Sequence, residues 1–524
     1  MEETNKDLHV RNKASLGKLG TQSAPGFLSL LQKDKAYRWR VTQSFLLSLS
    51  SFTLGIIIGQ QGPTFLDLQI ITGTDVETAS SFFTAGSFGY MVGSFISGFV
   101  HGKVKNSVFM AIVNAGAGIM AIITPYCSPF ALMLVIKFST SIFCGGIDTI
   151  VNAEHIRIWG SDNQPLLQFI HFTFALGGVL TPLFTEPFLA EKETGNSTIR
   201  TDGEPTIFMN STSQWKQENT SNMTWLATNG TMLVKARTTN VHYAFLISGI
   251  IAILTSFPFI YLSIVEKSTE HKSEEKYTQK VHSRKLPRHL NIFVILVLCF
   301  FFLVYCCVED TFASFLMTFV VTEYDEVSKS KGAYITTFYW ASFAVGRFLN
   351  IFVSKYVIAV KLISLYTFLM VIAFSCFTIS AFFAQIDAIT VFAGMAGISM
   401  SAVFAAGFGW TESELLKVTG WVSSFILTAN SLGLMINPLI IAYLMEEVSN
   451  MWFCYVLLLQ TFVVCSTFLF LLLFNRCYLN KVYGKVGDSK NLEIVVETPL
   501  QETEKFLEND LKTSENVPNI NLTL

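Results

Sequence analysis

The sequence predicts an all-α polytopic membrane protein whose twelve transmembrane helices form two six-helix halves. Hydrophobic residues make up 51% of the 524 residues and charged residues only 14%, which is outside the usual range of soluble proteins. Uninterrupted apolar runs of about 20 residues, the length that crosses a bilayer, recur along the chain. A motif that repeats at a nearly constant offset then indicates that the second half duplicates the first.

The apolar runs are predicted to be helices, because backbone polar groups have to be paired within the lipid. A membrane barrel would instead need alternating segments of about 10 residues, and these runs are continuous. The twelve predicted spans are 42–66, 79–101, 107–126, 129–153, 165–189, 241–264, 290–321, 332–354, 359–382, 386–409, 420–445 and 451–475.

The internal repeat is visible in two pairs of spans. Spans five and eleven both contain Leu-Gly, four residues and then Pro-Leu, and the prolines, Pro182 and Pro438, are 256 residues apart. Gly93 in span two and Gly346 in span eight each have a phenylalanine two positions further on, and the two glycines are 253 residues apart. Parallel halves of this kind place a substrate site near the membrane midplane between them.

The repeat divides the chain into a tail at 1–41, an amino-terminal bundle at 42–264, a charged linker at 265–289, a carboxy-terminal bundle at 290–475 and a tail at 476–524. The last tail is polar and has no core-forming pattern, so we expect it to be disordered.

Basic residues indicate the orientation. Eight of the first 41 residues and seven residues of the segment 267–288 are Lys or Arg, whereas the short loops after spans one, three, nine and eleven have none. The positive-inside rule therefore predicts that both termini are cytosolic, and we expect the plasma membrane as the location. The first forty residues contain no short apolar core with a cleavage site, so no removable signal peptide is predicted.

The polar segment 190–240 supports this orientation, because it contains five glycosylation sequons on the predicted outer side. One sequon is a weak pattern, but five in one loop are a stronger indication. Asn521 lies in a sequon on the predicted cytosolic side and is set aside. The nine cysteines lie mostly within spans and show no disulfide or zinc pattern. The predicted glycosylation sites are Asn196, Asn210, Asn219, Asn222 and Asn229.

Asp148 is the most informative residue, because it lies deep in the apolar span four. A carboxylate at membrane depth is costly unless it is paired, protonated or bound to a cation. Asn152, one helical turn on, shares its face, and together they are candidates for coupling to a cation. The alternative is a structural contact to a backbone amide or to Lys137, three turns away.

Other polar residues interrupt the spans and are candidates for binding a substrate. Gln168 and His171 share a face of span five, although polar residues also serve helix packing. Glu309 and Asp310 interrupt span seven. Adjacent residues point to different sides of a helix, so at most one is expected to line a cavity, and Glu309 is favoured. Alternatively, span seven ends early and both acids face water.

Arg347 in span eight is a candidate for an inner gate, although snorkelling to the inner surface explains it equally well. Asn430 and Asn437 in span eleven and Trp340 in span eight suit a sugar, which binds through amide hydrogen bonds and aromatic faces. Most tryptophans in membrane proteins are instead interface anchors.

The chain resembles the major facilitator superfamily, and within it the sodium-dependent glucose transporter branch. The similar motifs are 62–68 at the end of span one, 146–152 around Asp148, and 167–172. The bacterial fucose–proton symporter is a more distant relative, similar in its Gly-x-x-acid-Thr-x-x-Asn run in span four and in the motifs of spans eight and eleven.

This resemblance implies the major facilitator fold and assigns roles to some positions. Asp148 falls on the span-four carboxylate that is functional in the fucose symporter, and His171 on a glutamine of its sugar cavity. Gly62 stands where that symporter has a second carboxylate, and the superfamily's acidic loop motif after span two reads 98–105 here, without an acid. The branch also has an acid at the position of Glu309, and it makes the apical membrane a candidate location.

The leading functional prediction is sodium-linked uptake of glucose or a related hexose by alternating access. The alternatives are facilitative transport of another small polar solute, such as urea, and a membrane sensor that does not transport. No nucleophile–base pair, metal cluster or phosphate-binding glycine loop indicates an enzyme. The expected partners are the hexose, Na⁺ and the lipid bilayer, without nucleic acid. We expect a monomer with no cofactor and no metal beyond the transported Na⁺.

Overall fold

The structure is a computed structural model that describes residues 35–101, 103–159, 164–191, 207–209, 223–228, 231–236, 239–265, 286–416 and 420–484. Almost all of these residues are helical. The helices are α1 (Lys35–Gly59), α2 (Gln61–Thr72), α3 (Val76–Val100), α4 (Asn106–Ile123), α5 (Phe130–Trp159), α6 (Gln164–Thr185), α7 (Val241–Val265), α8 (Arg288–Glu323), α9 (Lys329–Val353), α10 (Ala359–Phe382), α11 (Ile386–Met400), α12 (Val403–Trp410), α13 (Gly420–Glu447), α14 (Trp452–Phe474) and α15 (Asn480–Tyr483).

Within the described residues, eleven helical segments are long and apolar enough to cross a membrane. The remaining predicted span, span eight, is α9, a helix of 25 residues. It carries Lys329, Lys331 and Arg347, which lower its hydropathy below that of the other spans. Two of these charges are buried between helices, as described below.

The helices of each half pack in the same pattern, as the repeat predicts. In the first half α3 packs on α5, α4 on α7, and α1 on α6. In the second half the corresponding pairs are α9 with α11, α10 with α14, and α8 with α13. These helices bury a large aromatic-rich core, which lies mostly in the second half but includes residues of α2, α3 and α7, and a smaller apolar cluster in the first half.

The repeated Leu-Gly motif has the same packing role in both halves. A Cβ atom on Gly177 of α6 would lie 2.3 Å from a backbone oxygen of α1, and one on Gly433 of α13 would lie 2.7 Å from the Cys307 sulfur of α8. Only glycine allows this approach without rearrangement. Four residues further on, Thr181 donates to the Ile56 carbonyl over 3.1 Å.

Two spans predicted as continuous helices are interrupted. Span one divides into α1 and α2 at Gln60, where Pro63 cannot donate to the carbonyl one turn before it. Span ten divides into α11 and α12 at residues 401–402. The Tyr305 hydroxyl donates to the Met400 carbonyl over 2.6 Å at that break, so a backbone group freed by the interruption remains paired inside the bundle.

The segment between α6 and α7 contains three antiparallel strands, in the order β1 (Ile207–Met209), β3 (Thr231–Ala236) and β2 (Met223–Thr228). The sequence predicts a polar loop there and no strands. All five predicted glycosylation sites lie outside the described residues, as do most of both tails. The last helices continue to Tyr483, past the predicted end of the bundle at 475.

Candidate functional site

The bundle has two ends, which we name by the chain segments they carry. The terminal face holds the start of α1 and the end of α14. The loop face holds the end of α2, the end of α6 and the start of α7, and therefore both ends of the strand-containing segment. The halves meet through α2 with α8, α3 with α13, and α6 with α9.

Asp148 lies near the middle of α5 and is held by Asn152. The Asn152 side chain donates to its carboxylate over 3.0 Å and also to its backbone carbonyl over 2.9 Å. Tyr90 of α3 lies near the same carboxylate. Asn152 is therefore where the helical spacing predicts it, whereas the alternative partner, Lys137, lies eleven residues earlier on α5.

Arg347 of α9 connects the two halves. Its guanidinium donates to the His171 carbonyl of α6 over 3.0 Å and lies 3.4 Å from a carboxylate oxygen of Glu309 on α8. The same group lies 4.1 Å from the centre of the Phe343 ring. Only 8% of Arg347 is exposed, so it does not snorkel to an aqueous surface.

Both acids of α8 lie within the helix, which continues to Glu323. The alternative that span seven ends before them is therefore wrong. Glu309 contacts Arg347 over 3.4 Å. Asp310, the neighbour that the sequence argument set aside, is also only partly exposed.

The central region contains three acidic side chains, those of Asp148, Glu309 and Asp310, and one arginine, Arg347. Glu309 pairs with Arg347 over 3.4 Å, whereas Asp148 is held by the neutral amide of Asn152. No group of three His, Cys, Asp or Glu side chains able to hold a metal ion occurs in the part of the chain that the structure describes. Asp148 lies on the first half, whereas Glu309 and Asp310 lie on the second. A cation bound by one of these carboxylates would therefore need further oxygen ligands.

Three predicted substrate residues have buried polar atoms without a hydrogen-bond partner. These atoms are Gln168 Oε1 on α6, Trp340 Nε1 on α9 and Asn430 Oδ1 on α13. A buried polar atom without a partner costs about 1–3 kcal/mol, so each is a candidate for a bound solute or water. Trp340 lies at the interface of the halves, where a Cβ atom on Gly178 would be 2.5 Å from its ring.

Two other predicted residues, Asn437 and His171, make hydrogen bonds within the protein. The amide group of Asn437 binds the Cys307 carbonyl, the Thr311 hydroxyl and the Gln460 side chain. Asn437 is thus the counterpart of Thr181, and its contacts are those of helix packing. His171 binds Arg347 through its backbone carbonyl, and its ring is within range of the Arg347 charge.

Sequence reasoning missed Asp67 as a site residue. Its carboxylate is fully buried on α2 and forms an ion pair with Lys329 of α9. It also accepts hydrogen bonds from the Thr239 hydroxyl and, over 2.8 Å, from the Ala190 backbone. The available signal was a pair of opposite charges near the loop-face ends of spans one and eight, on different halves.

Gly62 has a packing role at the position where the resemblance placed a missing carboxylate. A Cβ atom there would lie 2.7 Å from the Ala313 carbonyl oxygen of α8. The close approach of α2 to α8 leaves no room for a side chain. Span one nevertheless contains a buried acid, Asp67, five residues further along.

The loop after span two contains no acid of its own, but the carboxylate of Glu154 contacts residues at both of its ends. Glu154 of α5 accepts hydrogen bonds from His101, over 3.1 Å, and from Asn106. Arg157 donates to both oxygens of the same carboxylate. The acid absent from the 98–105 motif is thus replaced locally by a residue of span four.

Several further contacts join the halves on the loop-face side of the interface. The Thr84 and Ser87 hydroxyls of α3 donate to backbone carbonyls of α13, over 2.7 and 3.3 Å. The Glu77 backbone amide donates to Glu446 over 2.8 Å, and the Phe83 ring of α3 lies 5.1 Å from that of Phe315 of α8. Arg347 and its contacts lie deeper, toward the terminal face.

Comparison with known proteins identifies transporters. No family model matches the sequence. The chain is 25% identical over 403 residues to sodium-dependent glucose transporter 1 of Homo sapiens, covering 76% of this chain and 73% of that protein. It is 26% identical over 435 residues to the protein of the same name from Danio rerio, covering 82% and 68%. Major facilitator superfamily domain-containing protein 4A of Xenopus tropicalis is 24% identical over 439 residues, covering 75% and 84%.

Solved structures show the same fold. The major facilitator superfamily transporter FucP, in its outward conformation, aligns with a TM-score of 0.52 at 14% identity, covering 82% of this chain and 99% of that one. The nucleoside transporter NupG aligns with a TM-score of 0.55 at 11% identity, with the same coverage. These likenesses confirm the predicted resemblance and the predicted fold, and they are to transporters rather than to enzymes.

Proposed function

Since this chain is a membrane transporter with the major facilitator fold, we propose that it takes up glucose or a related hexose together with sodium by alternating access. The observation that carries the proposal is the Asp148 carboxylate, which lies at membrane depth and is held by the neutral amide of Asn152, with no ion-pair partner among the described residues. The printed names of the similar transporters from Homo sapiens and Danio rerio support both the sugar and the ion.

Asp148 is the proposed sodium-coupling residue. Asn152 holds its carboxylate by a hydrogen bond, so the carboxylate is oriented before an ion arrives. A cation near Asp148 would supply the charge partner that this carboxylate lacks among the described residues. If sodium favours the conformation with the higher sugar affinity, sugar must tighten sodium binding by the same factor.

The membrane potential makes such coupling useful. One positive charge that moves through about 100 mV gains about 2.3 kcal/mol. Because each 1.4 kcal/mol corresponds to a factor of ten, the potential alone could support accumulation of about 40-fold.

The proposed sugar contacts are the unpartnered polar atoms of Gln168, Trp340 and Asn430. Hydroxyl groups both donate and accept, so a hexose can satisfy the two side-chain oxygens and the indole N–H. Any other small polar solute with both donors and acceptors would fit these atoms, and facilitative transport of such a solute is therefore the second candidate.

Alternating access requires the loop-face contacts to break when the other end closes. We propose that the Asp67–Lys329 ion pair is the gate on this face, since it joins α2 of one half to α9 of the other. Arg347, which contacts His171 and Glu309 on opposite halves, would transmit a change in charge at the centre to the same interface.

We also infer that the protein lies in the plasma membrane with both termini in the cytosol. The bias of basic residues toward the tails and the linker supports this orientation. The loop face would then be extracellular, and the conformation described here would be closed to the outside.

The experiment is uptake of radiolabelled glucose by proteoliposomes that contain the purified full chain. Uptake is measured with an inward sodium gradient, with choline replacing sodium, and with the membrane potential held equal in both cases. Accumulation above equilibrium only with the sodium gradient is expected. Equal uptake in sodium and choline would favour the facilitative alternative, and no glucose uptake in either would require a different solute.

A further inference from the structure

A small polar cavity lies inside the amino-terminal half. It is bounded by α1, α2, α5, α7 and the turn after α4, and its polar lining includes Gln60, Gln61, Lys137, Thr140 and Ser141. Its water-accessible volume is about 20 Å³, which is enough for one water-sized occupant. Lys137 precedes Asp148 by eleven residues on α5, a distance of about 16 Å at 1.5 Å per residue.

Lys137 brings a positive charge into this cavity without an acid to balance it. Among the residues the structure describes, it has no ion-pair partner, and the one titratable group that acts on its charge is the Cys144 thiol. Its ammonium group lies 5.8 Å from the centre of the Phe245 ring. No Asp or Glu lines this cavity or the adjoining one, which shares Gln61, Lys137 and Ser141. A charge in such surroundings needs a counter-charge or strong hydrogen bonds.

Gln60 supplies an independent indication of a ligand. It is 2% exposed, and its side-chain Nε2 is buried without a hydrogen-bond partner. It stands at the interruption between α1 and α2, where it lines the cavity together with Lys137. An ammonium and an amide NH₂ are both donors, so an occupant that reaches both of them has to be an acceptor.

We infer that this cavity binds a small monovalent anion of the size of chloride. The anion would accept hydrogen bonds from Lys137 and Gln60 and would balance the Lys137 charge. A neutral water molecule would satisfy the donors but leave that charge uncompensated. A sugar, a phosphate or a carboxylic acid is too large for the space. The site does not depend on which solute the protein transports.

The test is thermal unfolding of the purified full chain in detergent, in sodium chloride, sodium bromide or sodium gluconate at equal concentration. Ligands that bind the folded state raise the melting temperature, so we expect a higher value in chloride and bromide than in gluconate. Lys137→Gln should remove this difference. Lys361→Gln, which removes an exposed lysine of α10, should keep it and serves as the control.

A second variant keeps Lys137 in place. Gln60→Glu has the same size but provides a built-in carboxylate for the ammonium, so it should raise the melting temperature in gluconate and abolish the difference between chloride and gluconate. Equal melting temperatures of the wild type in the three salts would overturn the inference. A chloride effect that persists in both Lys137→Gln and Gln60→Glu would overturn it as well, because the anion would then bind elsewhere.

Discussion

Asp67 of α2 and Lys329 of α9 form a buried ion pair between the two halves of the bundle. The Asp67 carboxylate also accepts hydrogen bonds from Thr239 and from the Ala190 backbone, which stand at the two ends of the long segment between α6 and α7. One carboxylate therefore ties together the halves and the base of that segment. If the loop face opens, this ion pair separates, and both charges then need new partners.

Breaking this ion pair from one side should be strongly destabilising. Asp67→Asn leaves the Lys329 ammonium buried without its counter-charge, and the loss of one partner of a buried pair costs about 3–5 kcal/mol. We expect a lower melting temperature and a lower maximal uptake rate. Glu447→Gln, which neutralises an exposed acid at the loop-face end of α13, is the matched control and should behave like the wild type.

Lys329→Met in the Asp67→Asn background removes both charges, and it should recover part of the stability lost in the single variant. A double-mutant cycle on the melting data measures the coupling. An additive result would show that the two side chains do not act as a pair.

The planar shape of the Arg347 guanidinium should matter for uptake as much as its charge does. Lysine keeps the charge but cannot reach both the His171 carbonyl and Glu309, nor can it stack on Phe343 in the same way. Arg347→Lys is therefore expected to reduce uptake at least tenfold, corresponding to a loss of about 1.4 kcal/mol. The measurement is the initial uptake rate at matched amounts of protein.

A companion variant separates transport from folding. Arg347→Gln leaves the Glu309 carboxylate without its cation, and adding Glu309→Gln should restore thermal stability but not uptake. If the double variant unfolds at the same temperature as Arg347→Gln alone, Glu309 does not depend on Arg347 for its stability.

Gly178 should be intolerant of any side chain. A Cβ atom there would lie 2.5 Å from the Trp340 ring, so Gly178→Ala would push α6 and α9 apart at the interface between the halves. We expect lower thermal stability and slower uptake. Gly98→Ala is the control, because a Cβ atom at this position of α3 meets nothing within 4 Å, and alanine should stabilise the helix by about 1 kcal/mol or less.

The sequence predicts most of the fold because helix length and hydropathy are local properties. The Leu-Gly-x4-Pro-Leu repeat even predicts which positions are equivalent, and Thr181 and Asn437 make matching contacts in the two halves. The same repeat could have shown that Asn437 is a packing residue. Hydropathy does not reveal the helix interruptions at Gln60 and Ser401, since residues on both sides of each break remain apolar.

The candidate site is only partly predictable, because it is formed by helices that are far apart in sequence. Asn152 was found by helical spacing from Asp148, which is local. Tyr90 and the partners of Arg347 come from other spans, and only the packing of α3, α6 and α8 brings them together. The Asp67–Lys329 pair joins residues 262 positions apart, so neither charge alone indicates the other.

The segment at 190–240 is predicted to be extracellular and glycosylated. Its five sequons and the bias of basic residues toward the other face support this prediction. Treating protein from mammalian cells with an amide-cleaving glycosidase should increase its mobility on a gel. A variant with all five asparagines replaced by glutamine should show the faster mobility without treatment. An epitope inserted in this segment that is reached only after the cells are permeabilised would contradict the topology.

Asp148→Asn should abolish the sodium dependence of uptake more than it harms folding. Asparagine keeps the size of the side chain and a carbonyl that can accept from Asn152, but it removes the charge that attracts a cation. Because charges at membrane depth are costly, the variant should unfold at the same temperature as the wild type or higher. The measurement is glucose uptake against sodium concentration at matched surface expression.

Asn152→Leu distinguishes the role of the charge from that of its orientation. It retains the Asp148 carboxylate and removes the hydrogen bond that Asn152 donates to it over 3.0 Å, and bonds to charged groups contribute about 1.5–3 kcal/mol. We therefore expect the half-saturating sodium concentration to change about tenfold or more, while the dependence on sodium remains. If Asp148→Asn instead keeps the sodium curve of the wild type, Asp148 is structural. In that case the same experiment on Glu309→Gln alone tests the next carboxylate in the cluster.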